Sequence, residues 1–138
     1  MRPDQTVGRK ASRTAAPLVG VVDDDESIRV SISSLVRSAG YRSALFESAE
    51  AFLSSQSKLE TDCQVLVLDV RMPGLSGLEL QCRLSNDKRT IPIIFVTAHA
   101  DDDVRARALK QGAIALLGKP FDDEVLLGAI HSALQESC

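Results

Sequence analysis

Five side chains stand where a run of apolar residues stops. Asp23 and Asp24 follow Leu18–Val22, Asp69 follows Val65–Leu68, Thr97 follows Ile91–Val96, and Lys119 follows Ala113–Leu117 after one glycine. Taken singly, each has a plain explanation: an acidic run opens a helix, an Asp makes a turn, a Lys before Pro lies on the surface. Their ordered recurrence at four run ends is a pattern that chance does not supply. Carboxylates brought together repel one another and force a proton onto one of them unless a cation intervenes. Carboxylate and carbonyl oxygens are hard ligands, and a site with room for water and phosphate oxygens suits Mg²⁺. In such a site Asp69 can attack phosphorus and form an aspartyl phosphate. Asp24 would hold the metal, with Asp23 acting mostly through water. Lys119 would offer a point charge to one phosphoryl oxygen and the Thr97 hydroxyl would bond another. Phosphoryl transfer rests chiefly on positioning and charge stabilisation, so this short set is nearly sufficient.

The elements between these positions are of the kind that would bring them together. Val65-Leu66-Val67-Leu68 is apolar without interruption, which marks a strand buried on both faces at the centre of a parallel sheet. Pro73-Gly74 breaks the chain after it. Leu18–Val22, Ile91–Thr97 and Ala113–Leu117 read as further strands, with Pro92 at a strand start where a missing donor does least harm. Tyr41–Phe46 reads as a short strand near an edge, given Arg42 and Ser43. Helical periodicity fills the intervals. Ile28, Ile32, Leu35 and Val36 mark a helix ending near Gly40. Ser48 caps one holding Ala51, Phe52 and Leu59. Ser76-Gly77-Leu78-Glu79 has capping-box spacing and opens a helix through Leu84. After a polar turn over Asn86–Thr90 and the next strand, Asp101–Asp103 begin a helix that Gly112 ends. Its stripe of Val104, Ala108 and Leu109 is thin, which predicts the most loosely held helix. Asp122 and Asp123 start the last helix, with Leu126, Ala129, Ile130, Ala133 and Leu134 on one face. Five alternations of strand and helix require crossover connections, hence an α/β fold with a parallel sheet covered on both sides. Strand ends in such a sheet point the same way, and ligands bind outside their carboxyl ends.

Composition narrows the classes. A chain of 138 residues suits one domain, and the 44% hydrophobic and 25% charged fractions are those of a soluble globular protein. With 4% aromatic residues and no Trp, the core must be aliphatic. Residues 1–16 carry four cations and one carboxylate, so the net charge of −3 divides into a basic leader of +3 and a remainder of −6. Residues 1–16 read as a disordered tail and 17–138 as the domain. An acidic folded part is the wrong sign for binding nucleic acid by itself. Cys63, Cys82 and Cys138 are odd in number and lack C-x-x-C spacing, which argues against a disulfide framework or zinc and fits a reducing cytoplasm. No signal peptide is recognisable, and no apolar run approaches the ~20 residues needed to span a bilayer.

Val22-Asp23-Asp24-Asp25-Glu26, Leu68-Asp69-Val70-Arg71-Met72-Pro73-Gly74 with Ser76-Gly77, Val96-Thr97-Ala98 and Lys119-Pro120-Phe121 together resemble a response-regulator receiver domain of two-component signalling, over residues 17–136. The nearest flavour is that of receivers of nitrogen-fixation and nitrate-response regulators. The resemblance implies a flavodoxin-like (βα)5 three-layer sandwich with strand order 2-1-3-4-5. It implies phosphate taken from a sensor histidine kinase or histidine phosphotransfer protein onto Asp69, in a phosphoacceptor that assists its own phosphotransfer and dephosphorylation without being an enzyme. It implies metal contacts from Asp24, Asp69 and the Arg71 backbone carbonyl, and a cis bond at Lys119-Pro120, the one kind of bond where cis is cheap. Two positions that tune phosphate lifetime in the family are here Arg71 and His99. A departure stands three residues before the lysine, where the family usually has Tyr or Phe and this chain has Leu116. That substitution predicts an output surface that shifts less, or by backbone motion. His131 reads as inert, since a relay histidine belongs on a four-helix module.

The chain's end soon after the last helix predicts a stand-alone receiver, acting as relay intermediate or phosphate sink, with a downstream protein partner and scope for phosphorylation-dependent homodimerisation. The rivals are a pseudo-receiver that binds protein without phosphorylation, and the receiver fragment of a longer DNA-binding transcriptional regulator. A phosphatase of the haloacid-dehalogenase kind needs a second Asp two residues after the nucleophile, where this chain has Arg71.

Overall fold

Strand and helix alternate five times: β1 (Leu18–Val22), α1 (Glu26–Ser38), β2 (Arg42–Phe46), α2 (Ala49–Ser55), β3 (Val65–Asp69), α3 (Gly77–Asn86), β4 (Ile93–Thr97), α4 (Asp102–Lys110), β5 (Ala115–Gly118) and α5 (Asp123–Glu136). The computed structural model describes residues 16–55, 63–86 and 91–136. The basic leader through residue 15, Leu59 and residues 87–90 of the polar turn lie outside the described residues, while Asn86, read as the start of that turn, ends α3. The five strands form one sheet in the order β2-β1-β3-β4-β5, and every neighbouring pair is parallel. β3 is therefore central and β2 is an edge, as the hydrophobic runs imply.

Period-two alternation within the strands divides the core into two layers. Leu18, Val22, Leu66, Leu68, Phe95 and Leu116 face Phe52 of α2, Leu80 and Leu84 of α3 and Ala108 of α4. Val19, Val21, Val65, Val67, Ile94 and Val96 face Ile32 and Val36 of α1 and Leu126, Ile130 and Ala133 of α5. Every residue of β1, β3 and β4 is buried, which is why these three strands read as unbroken apolar runs.

The helix ends follow their sequence signals. Asp25 caps α1, accepting from the Ser27 and Ile28 N–H groups, and Asp101 caps α4 through the Val104 N–H. Ser76 and Glu79 exchange the two capping-box bonds at 3.1 and 2.8 Å, and Ser48 accepts from the Ala51 N–H at 3.0 Å. Three strands begin later than the apolar runs suggest: β4 starts at Ile93, after Pro92, and for β2 and β5 the reason is the helix before each. Gly40 and Gly112 adopt φ of +96° and +102°. Tyr41 and Ala113 then bond back to the carbonyls of Val36 and Ala108, closing α1 and α4 in Schellman geometry. Their N–H groups serve the helix, so the bonds to the neighbouring strand begin one residue later, from the Arg42 N–H to the Pro17 carbonyl and from the Ile114 N–H to the Ile93 carbonyl. The stripe of α4 is thinner than its sequence suggests: Ala108 is buried, whereas Leu109 is 43% exposed.

Candidate functional site

The carboxyl ends of β1, β3 and β4 place Asp23, Asp69 and Thr97 side by side. Val22 pairs with Leu68, and Asp69 pairs with Val96, one residue before Thr97. Lys119 arrives one residue beyond β5, and its N–H donates to the Thr97 carbonyl at 2.8 Å. The Lys119-Pro120 bond is cis. One carboxylate oxygen from each of Asp23, Asp24 and Asp69 lies within 4.8 Å of the others, with Asp23 and Asp69 buried and Asp24 exposed.

The three acids differ in what they already hold. Asp23 has both oxygens engaged: Oδ1 accepts the Asp25 N–H at 2.9 Å, and Oδ2 accepts from Lys119 Nζ at 2.9 Å. Asp24 accepts no hydrogen bond from the described residues. Asp69 accepts a long bond from the Arg71 N–H at 3.4 Å, and its Oδ2 lies 3.6 Å from Lys119 Nζ. Burial, and after it the Asp23 charge, push the Asp69 carboxyl up to about 6 against the opposing pull of Lys119. Burial works to depress Lys119, but its hydrogen bond to Asp23 and the charge of Asp69 outweigh that and raise it. The site thus has more negative charge than one ammonium satisfies. This excess, on hard oxygen donors with Asp24 free, fits a divalent cation of the Mg²⁺ type.

The remaining sequence-predicted residues fall at different distances from this centre. Thr97 is fully buried and its Oγ1 accepts the His99 N–H at 3.1 Å. Arg71 and His99 are exposed on the loops after β3 and β4. Leu116 is 2% exposed in the core layer under α4, and its carbonyl accepts from Arg105 Nη1 at 2.8 Å.

Three supports were not legible as such. Arg29 donates from Nη1 to the Asp23 carbonyl at 2.7 Å, tying α1 to the acidic loop. A Cβ on Gly77 would stand 2.1 Å from the Asp69 carbonyl oxygen, so α3 starts against the strand end only because residue 77 has no side chain. Glu50, which reads merely as a first-turn acid of α2, bonds the Leu75 N–H at 2.8 Å. Arg29 and Glu50 carry no local signal, because their partners are backbone groups remote in sequence or across a turn.

A parallel five-stranded sheet with an acidic cluster and a lysine at its carboxyl edge defines a receiver-like α/β class. The family model for the response regulator receiver domain matches residues 19–131, and the chain belongs to that family. It is similar to the response regulator protein TmoT of Ectopseudomonas mendocina, 44% identical over 129 residues that cover 94% of this chain and 58% of that one. It is also similar to the transcriptional regulatory protein FixJ of Bradyrhizobium diazoefficiens, 41% identical over 85% of this chain and 56% of the relative. Among solved structures, FixJ-N superposes with a TM-score of 0.77 at 37% identity, covering 88% of this chain and 96% of that one. The response regulator StyR gives a TM-score of 0.77 at 45% identity, over 88% of this chain and 60% of that one. The chain spans a little over half the length of the curated relatives. It is the receiver domain of a two-component response regulator, a signalling module of the phosphoacceptor kind. No helix among the described residues is long and apolar enough to cross a membrane.

Proposed function

We propose that Asp69 accepts a phosphoryl group from the phosphohistidine of a sensor kinase or histidine phosphotransfer protein, and that the acyl phosphate is the chain's signalling state. A carboxylate oxygen of Asp69 forms the new O–P bond as the P–N bond to histidine breaks, and the imidazole leaves with the electron pair. The observation that carries this reading is the crowding of Asp23, Asp24 and Asp69 within 4.8 Å, with Lys119 Nζ 3.6 Å from Asp69. Asp24, Asp69 and the Arg71 carbonyl would hold Mg²⁺, with Asp23 acting through water because both of its oxygens are taken. When bound, the metal supplies positive charge that offsets repulsion between the incoming phosphate and the attacking carboxylate.

The chain's own groups do the rest. Lys119 shares its ammonium between Asp23 and Asp69, so it is placed to follow charge onto a phosphoryl oxygen. Thr97 supplies a hydroxyl at the end of β4, and Arg71 and His99 screen the acyl phosphate from water. Leu116 is packed in the core and lacks a ring to swing, so the readout face of α4, β5 and α5 shifts through backbone. Whether output is carried on the same polypeptide, as the length of the relatives has it, or on a separate protein changes the partner and leaves the chemistry unchanged. The setting is cytoplasmic, and phosphorylation would bias a second copy toward pairing on the readout face. The test is phosphotransfer from a panel of autophosphorylated histidine kinases, followed by hydroxylamine. Rapid transfer from one kinase to give a hydroxylamine-labile label is expected; no transfer from any kinase, or a label that resists hydroxylamine, refutes the reading.

A further inference from the structure

We propose that Glu50, on the first turn of α2, is a positioning residue for the metal: it fixes the β3–α3 loop so that the loop's backbone is ready to serve the cation beside Asp69. This rests on the reading of Asp24, Asp69 and the Arg71 carbonyl as the metal's ligands.

The loop over residues 70–76 leaves the site at Asp69 and returns at Gly77, whose N–H donates to the Val70 carbonyl at 2.9 Å. Val70 and Met72 are buried, at 4% and 8% exposure, whereas Arg71 points to solvent. Packing of its own side chain therefore does not orient the Arg71 carbonyl. On the far side of the loop Pro73 and Gly74 are exposed, and Leu75 is partly buried against the core. There Glu50 Oε2 accepts the Leu75 N–H at 2.8 Å. The same oxygen lies 2.6 Å from where a Cβ on Gly74 would stand, and Gly74 sits at φ +79°. The carboxylate thus sits against the loop backbone, where a side chain at position 74 would meet it. The Leu75 bond holds the Glu50 carboxyl below the usual carboxylate range, as expected for an acceptor that works ionised.

Mg²⁺ tolerates little departure from octahedral geometry. A loop that must be ordered on binding costs conformational entropy for each residue fixed. Glu50 removes that cost beforehand, from an element that contributes no ligand, in the way outer partners of metal ligands act elsewhere.

The experiment is calorimetric Mg²⁺ titration of the full chain and of Glu50→Ala, Glu50→Gln and Asp24→Asn, with metal-free thermal unfolding of each. Both Glu50 variants lose the same charge, so any difference between them reports the hydrogen bond and not the field. Glu50→Ala should weaken Mg²⁺ by roughly tenfold, Glu50→Gln should recover most of it, and the metal-free midpoints should stay close to that of the parent. If Glu50→Ala and Glu50→Gln weaken Mg²⁺ equally, the effect is charge alone and the inference is overturned. Parent-like Mg²⁺ affinity in Glu50→Ala, with binding lost in Asp24→Asn, overturns it too. So does a fall in metal-free stability that accounts for the whole loss. Undiminished affinity in Asp24→Asn instead overturns the ligand assignment, and the inference with it.

Discussion

At Asp69 three requirements meet that oppose one another. As the proposed phosphoacceptor, the carboxylate would have to be ionised to attack phosphorus, shielded enough for an acyl phosphate to last, and close to other acids able to hold a cation. Its side chain is only 7% exposed, and its carboxyl is pushed up to about 6, by burial first and by Asp23 second. The folded value lies above the ordinary one near ~4, so folding favours the protonated form. The resulting stabilisation is full below about pH 4 and is lost as pH rises through about 6. At pH 7 without metal, ionised Asp69 is therefore a burden on the fold. Asp69→Asn should be more stable than the parent by about 1–3 kcal/mol under those conditions, after allowance for screening at the pocket mouth. The difference should fade by pH 4, as measured by denaturant unfolding in a chelator. A variant less stable than the parent at pH 7 would contradict this electrostatic picture.

The elements set these side chains in place by features with unequal visibility in sequence. Val65–Leu68 and Ile93–Val96 announce themselves because strands buried on both faces read as near-continuous apolar runs. Their terminal Asp69 and Thr97 were legible for the same reason, as the first polar groups after such runs. The strand starts were blurred where Tyr41 and Ala113 close the preceding helices, since an apolar residue suits either use. Gly77 was legible as part of a capping motif, but its steric role depends on how closely α3 approaches the Asp69 carbonyl. Gly77→Ala places a methyl 2.1 Å from that oxygen. It should cost at least about 2 kcal/mol by chemical denaturation and slow phosphorylation as well; an unchanged midpoint would show that α3 shifts freely. Leu116 belongs at this scale too, because it fills the layer under α4 while Arg105 bonds its carbonyl. With beryllofluoride as phosphoryl analogue, hydrogen exchange in α4 should change more in Leu116→Tyr than in the parent. Equal changes would remove any special role for position 116.

For the molecule as a whole, one charge imbalance stands out: an acidic cluster at the carboxyl end of the sheet, balanced only in part by Lys119. Mg²⁺ bound at the proposed site would stabilise the folded state by mass action, by about 2.7 kcal/mol at a hundred times the dissociation constant. Asp24→Asn should abolish that rise in the thermal midpoint, and an equal rise in the variant would move the metal elsewhere. The family is fixed by fold and sequence together, whereas the proposed chemistry rests on one side chain forming one bond. Intact-mass spectrometry after incubation with acetyl phosphate, with Mg²⁺ or with chelator, reads that bond directly. The parent should gain the mass of a single phosphoryl group in Mg²⁺ and none in chelator, and Asp69→Asn should gain none in either. Equal gain by Asp69→Asn, or gain that ignores the metal, would contradict it.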